Sequence, residues 1–140
     1  MRQATGRGLY IHVPFCPQRC HFCAFYLEIH HARAAEEFLG SLTTELRLYG
    51  EQRLFGSEPL QSVYFGGGTP TTLSAPQLAT VLSAARETFG LQDEAEITVE
   101  AHPGSVTRDR PARRRPGPAV QTDGCIPYRR TRIWAWCCTP

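Results

Sequence analysis

The chain has 140 residues, 41% of them apolar, and a formal net charge of +2 at pH 7. That length suits one small domain, and no apolar run approaches the ~18 residues of a membrane helix, so no membrane span is expected. The N-terminus carries Arg2 and Arg7 but neither an apolar h-region nor a small-residue cleavage site, so a cytoplasmic protein is expected, and its six cysteines point to metal or redox chemistry ahead of disulfides.

Residues 9–14, Leu-Tyr-Ile-His-Val-Pro, are β-branched and aromatic and stop at Pro14, which predicts a short buried strand. Residues 15–27 hold three cysteines without a clear period and read as a loop. A helix is predicted over about 31–50, because Ala35, Phe38, Leu39, Leu42, Leu46 and Tyr49 share one helical face, with Gly50 as its stop. Residues 61–65 predict a second strand, running into Gly66-Gly67-Gly68-Thr69-Pro70-Thr71. A second helix begins near Ser74, which can cap it. Gln77 completes a capping box, and Pro76 sits in the first turn. Its buried face is Leu78, Val81, Leu82, Ala85 and Phe89, and Gly90 ends it. Residues 96–101 predict a third strand. The order β-α-β-α-β predicts an α/β fold with parallel strands joined by helical crossovers.

This grammar stops after Thr107. Residues 1–107 hold 7 Arg and 11 acidic residues, a net of −4, whereas residues 108–140 hold 8 Arg and 2 Asp, a net of +6. Residues 108–118 place three prolines in eleven positions, where the pattern calls for the next helix. The expected division is therefore a core of 1–107 and a disordered basic tail of 108–140, read as an out-of-frame translation. Cys125, Cys137 and Cys138 take no role in this reading. Composition alone supports contact between the tail and nucleic acid, so nucleic acid is not an expected partner.

Cys16, Cys20 and Cys23 form a C-x3-C-x2-C motif. Thiolates hold iron–sulfur clusters, and three on one loop bind three irons of a [4Fe–4S] cube and leave the fourth iron open to a small chelating ligand. The amino and carboxylate groups of S-adenosylmethionine (SAM) make such a chelate, and an electron from the cluster can then cleave its sulfonium to release a carbon radical. The alternative is a zinc-binding module completed by His21, His30 or His31, although zinc sites more often pair C-x2-C with a second, distant pair.

Gly66, Gly67 and Gly68 follow a strand and precede a helix, so backbone N–H and C=O groups there can meet a ligand directly. The run matches neither a Walker A sequence nor G-x-G-x-x-G, which disfavours nucleotide phosphate and favours an amino-acid zwitterion; an ordinary turn is the alternative. Glu100 lies near the end of the third strand, where parallel α/β folds bind ligands, and shares a face with Thr98. A solvated strand end is its alternative role. Phe22, wedged between two candidate ligands, suits stacking on an adenine. Tyr10 faces the same ligand or else belongs to the core.

Taken together, Tyr10-Ile-His-Val-Pro-Phe-Cys16-x3-Cys20-His-Phe-Cys23, Val63-Tyr-Phe-Gly-Gly-Gly-Thr-Pro-Thr71 and Ile97-Thr-Val-Glu100-Ala-His-Pro-Gly104 resemble the radical SAM family of oxygen-independent coproporphyrinogen III oxidases and heme chaperones. The resemblance covers about residues 8–107. It implies the N-terminal half of a partial (β/α)6 TIM-like barrel, a [4Fe–4S] cluster on Cys16, Cys20 and Cys23, and SAM contacts from Tyr10, Phe22, Gly67, Gly68, Thr69 and Glu100. It also implies one of two activities. The oxidase decarboxylates propionates of coproporphyrinogen III; the chaperone binds heme and delivers it to an acceptor protein. The oxidase pattern has a further Cys two residues beyond the third ligand, where this chain has Phe25, which favours the chaperone branch. Such a family member continues for many more residues, so a truncated chain, weak or inactive, is expected here.

Overall fold

A computed structural model describes residues 6–21, 23–52, 56–101, 120–121 and 131–135. Its first strand, β1, is Gly8–Val13, followed by two short strands, β2 (Phe15–Cys16) and β3 (Glu28–Ile29). Helix α1 spans Ala32–Glu51 and strand β4 spans Leu60–Gly67. A single 3-10 turn at Pro70–Thr72 leads to α2 (Ala75–Phe89) and β5 (Leu91–Ala101). Two further strands are β6 (Val120–Gln121) and β7 (Thr131–Ala135). Among the described residues the main sheet has the order β1-β4-β5-β7-β6. Strands β1, β4, β5 and β7 run parallel and β6 runs antiparallel to β7.

Alternation along the strands decides which face is covered. Ile11 and Val13, Val63 and Phe65, and Ile97 and Val99 are all buried and come into register in neighbouring strands. They pack in one cluster with Ala35 and Leu46 of α1 and Leu78, Val81, Leu82 and Ala85 of α2. Burying each of the larger side chains contributes roughly 1.5–3 kcal/mol. The helices therefore cover one face. Tyr10, Tyr64, Thr98 and Glu100 come from the alternate positions, and their register Tyr10↔Tyr64↔Thr98 puts them on the other.

Helix α2 starts as its sequence predicts. Ser74 accepts a hydrogen bond from the Gln77 N–H, and the Gln77 side chain accepts from the Ser74 N–H at 2.8 Å. Helix α1 starts on His31, whose Nδ1 accepts from the Ala34 N–H at 3.2 Å. Among the described residues, no helix is long and apolar enough to cross a membrane.

Three expectations are corrected. Among the described residues the first strand is an edge strand, with Tyr10 58% exposed, because it pairs only with β4. The loop predicted at 15–27 begins with a strand, since Phe15 and Cys16 pair in parallel with Glu28 and Ile29. Gly50 does not stop α1, which runs to Glu51. Instead it lets the helix approach α2, because a Cβ there would lie 2.3 Å from Thr88 Cγ2. Beyond residue 107 the described residues are those of β6 and β7, and β7 pairs with Ile97–Ala101 of β5. The edge of β5 offers unpaired backbone groups, and Thr131-Arg-Ile-Trp-Ala135 is rich in strand-forming residues that satisfy them.

Candidate functional site

The cysteine loop is closed at its base. The Glu28 N–H donates to the Pro14 carbonyl at 2.8 Å and the His30 N–H to the Cys16 carbonyl at 2.9 Å. Cys16 is buried in β2, whereas Cys20 and Cys23 are half-buried on the loop, and none of the three is in a disulfide. The Cys23 N–H donates to the Cys20 carbonyl at 3.2 Å. Among the described residues, no three His, Cys, Asp or Glu side chains stand in a metal-holding arrangement. Cysteine ligands give up their protons as a metal binds, and binding itself assembles such a site. His30 packs edge-on against Phe15, with ring centroids 5.8 Å apart, and His31 is taken up by the α1 cap. Phe22 lies outside the described residues.

The glycine turn is fastened to the segment that leads into Cys16. The Gly68 N–H donates to the Val13 carbonyl at 2.8 Å and the Thr69 N–H to the Phe15 carbonyl at 2.6 Å. The Thr69 hydroxyl lies 3.6 Å from Cys16 Sγ. These contacts leave no room for side chains. A Cβ on Gly68 would lie 2.6 Å from the Phe15 carbonyl oxygen and 2.9 Å from Cys16 Sγ. Gly67 has φ +113°, a conformation that side-chain-bearing residues rarely adopt, and a Cβ there would meet the Val13 carbonyl oxygen at 2.8 Å and the His12 ring at 2.9 Å.

Glu100 joins the turn from the third side. Its Oε2 accepts from the Gly67 N–H at 3.2 Å and its Oε1 accepts from the Tyr64 hydroxyl at 2.6 Å. Burial first, then the bond to Glu100 and its charge, push the Tyr64 phenol up to about 12, so it stays a donor at neutral pH. Tyr10 stacks on Tyr64 with centroids 5.9 Å apart and planes 25° apart, and its hydroxyl lies 3.3 Å from His12 Nδ1. Partial burial and the Glu100 charge also raise the Tyr10 phenol. The structure thus brings together Cys16, Gly67, Gly68, Thr69 and Glu100 at the C-terminal ends of parallel strands, with Tyr10 reaching the group from the middle of β1 through its stack on Tyr64. The sequence reading missed Tyr64 and His12 as members of this group. The signal for Tyr64 was its alternation with Val63 and Phe65, which aims it at the Glu100 face.

A groove of about 610 Å³ runs between β1 and α1, past Leu9, Phe38, Leu42 and Tyr49. None of the three loop cysteines and not Glu100 lines it. It continues the apolar core at an open edge and shares Tyr10 and His12 with the polar constellation.

Comparison with known proteins places this arrangement. Residues 10–114 match the profile of the radical SAM superfamily. The chain belongs to that superfamily. An anaerobilin synthase of Escherichia coli O157:H7 is 39% identical over 94 residues, covering 67% of this chain and 21% of that protein. The heme chaperone HemW of Escherichia coli K12 is 36% identical over 108 residues, covering 74% of this chain and 27% of that protein. In a solved structure, coproporphyrinogen III oxidase (HemN) from Escherichia coli, described as a radical SAM enzyme, superposes with a TM-score of 0.66 at 31% identity, over 73% of this chain and 23% of that one. The chain therefore spans about a quarter of the length of these relatives. The superfamily implies SAM and a [4Fe–4S] cluster as cofactors, and the residues present fit them. Soft thiolates suit iron–sulfur binding, and a turn without side chains lies against one of those thiolates with a carboxylate anchored beside it.

Proposed function

We propose that residues 1–107 hold a [4Fe–4S] cluster on Cys16, Cys20 and Cys23 and bind SAM through Tyr10, Phe22, Gly67, Gly68, Thr69 and Glu100. The observation that carries this reading is the pair of backbone bonds fastening Gly68 and Thr69 to Val13 and Phe15, which sets the glycine turn beside Cys16. When bound, the cluster supplies an electron and SAM supplies the sulfonium that the electron cleaves. The chain's own residues bind and orient. The turn offers backbone groups at close range, Glu100 offers a carboxylate to hydroxyl or amino donors, and Tyr10 offers an exposed ring face. Residues 108–140 supply none of these groups, and we place them outside the cofactor-holding unit.

Within the superfamily we favour the heme chaperone branch, with heme as ligand and a heme-acceptor protein as partner, over coproporphyrinogen oxidation. Phe25 in place of a further cysteine supports this choice. Relatives named as a synthase, a chaperone and an oxidase all match the segment. That is expected of a part that holds the shared cofactors.

Anaerobic reconstitution of the 140-residue chain with iron and sulfide tests the reading. The expected product carries about four iron and four sulfide per chain, and alanine at any of Cys16, Cys20 or Cys23 abolishes it. One zinc per chain without sulfide would replace this proposal with a zinc module. Added hemin should give a bound-heme spectrum with no conversion of coproporphyrinogen III; conversion would move the protein to the oxidase branch.

A further inference from the structure

Tyr64 stands outside the residues proposed above to touch a cofactor, yet it controls one of them. Its hydroxyl donates to Glu100 Oε1 while the Gly67 N–H donates to Glu100 Oε2. A carboxylate bound at one oxygen can still swing about its last side-chain bond; bound at both by donors from different parts of β4, it is held in one plane. An ionised carboxylate accepts about four hydrogen bonds. Among the described residues two are taken by the chain, and the others are left for a ligand. The Tyr64 ring is itself fixed, since it stacks on Tyr10 and its residue is in register with Tyr10 on one side and Thr98 on the other.

We propose that Tyr64 is a positioning residue whose hydroxyl orients the Glu100 carboxylate toward the hydroxyl or amino donors of a nucleoside-type ligand. This rests on the reading of residues 1–107 as a SAM site. The hydroxyl does not touch the ligand; it acts through Glu100. Loss of that one donor lets the carboxylate rotate, and the ligand then bears the cost of ordering it.

The test uses the reconstituted 140-residue chain and its Tyr64→Phe, Glu100→Gln and doubly substituted forms. SAM affinity is read from the change it causes in the electron paramagnetic resonance signal of the reduced cluster. Tyr64→Phe should keep the iron and sulfide content and raise the Kd for SAM about tenfold. The same substitution made on Glu100→Gln should raise it less than about twofold, because the partner is already lost. Unchanged affinity in Tyr64→Phe overturns the proposal, as does a full tenfold loss in the Glu100→Gln background. Loss of the cluster in Tyr64→Phe would assign the residue to the fold and also overturn it. If the unsubstituted chain holds no cluster or no SAM, the SAM reading fails, and a cofactor-free measurement still judges the contact. With carbon-13-labelled tyrosine, the Tyr64 phenol should titrate at lower pH in Glu100→Gln than in the wild type; equal titration curves would show that the hydroxyl does not hold Glu100.

Discussion

Gly67 carries two constraints at once. Its φ of +113° suits glycine, and the space where a Cβ would stand is taken by the Val13 carbonyl oxygen and the His12 ring. Both constraints arise because the Gly67 N–H must reach Glu100 while Gly68 and Thr69 bond to the strand before Cys16. Gly67→Ala is expected to destabilise the chain by about 2 kcal/mol and to reduce cluster incorporation in parallel. Urea unfolding and iron content measured on the same preparation check this. Full stability with full iron content would show that the turn tolerates a side chain. The need for small residues was legible in Gly66-Gly67-Gly68. Which of the three is indispensable was not, because that depends on carbonyls and rings from β1.

At the scale of elements, α2 is the most self-contained piece. Ser74 and Gln77 satisfy each other's end of the capping box, Pro76 lies in the first turn, and Gly90 follows the last residue. Ser74→Ala should cost about 1 kcal/mol, seen as a lower urea midpoint with an unchanged slope. No measurable loss would mean that packing against the sheet, and not the cap, sets where the helix begins. Both helices and strands β1, β4 and β5 were legible, because their apolar residues recur at 3.6 or at 2. The β2–β3 bridge was not legible. Phe15-Cys16 and Glu28-Ile29 are two residues each, too short for any period, and they pair only because β1 and α1 bring the two ends of the cysteine loop together.

For the whole molecule, the decisive feature is how the sheet ends. Among the described residues one side ends at β1, where Tyr10 is exposed, and the far side of β5 is paired by β7. An unpaired strand edge invites association, and a small chain has little buried surface in reserve. Deleting residues 131–140 is therefore expected to lower the thermal midpoint by about 4 °C or more and to shift sedimentation toward larger species. An unchanged midpoint would show that β7 adds nothing to the sheet and would support a core that closes at residue 107. The abrupt change in charge and proline content near residue 108 marks an expected boundary. The pairing of residues 131–135 as a parallel strand was not legible, because a five-residue strand is selected by the open edge it meets.

By itself the sequence determined the α/β class, the order of the main strands and helices, and the three motifs that mark a radical SAM protein. These follow from local rules: side-chain periodicity, capping chemistry, and the spacing of thiols and glycines. Only the tertiary structure decided that the glycine turn is fastened beside Cys16, that Glu100 is held by Tyr64 and the Gly67 N–H, and that β1 forms an edge. Each of these depends on strand register, which joins residues more than thirty positions apart, and register is set by the packing of whole elements.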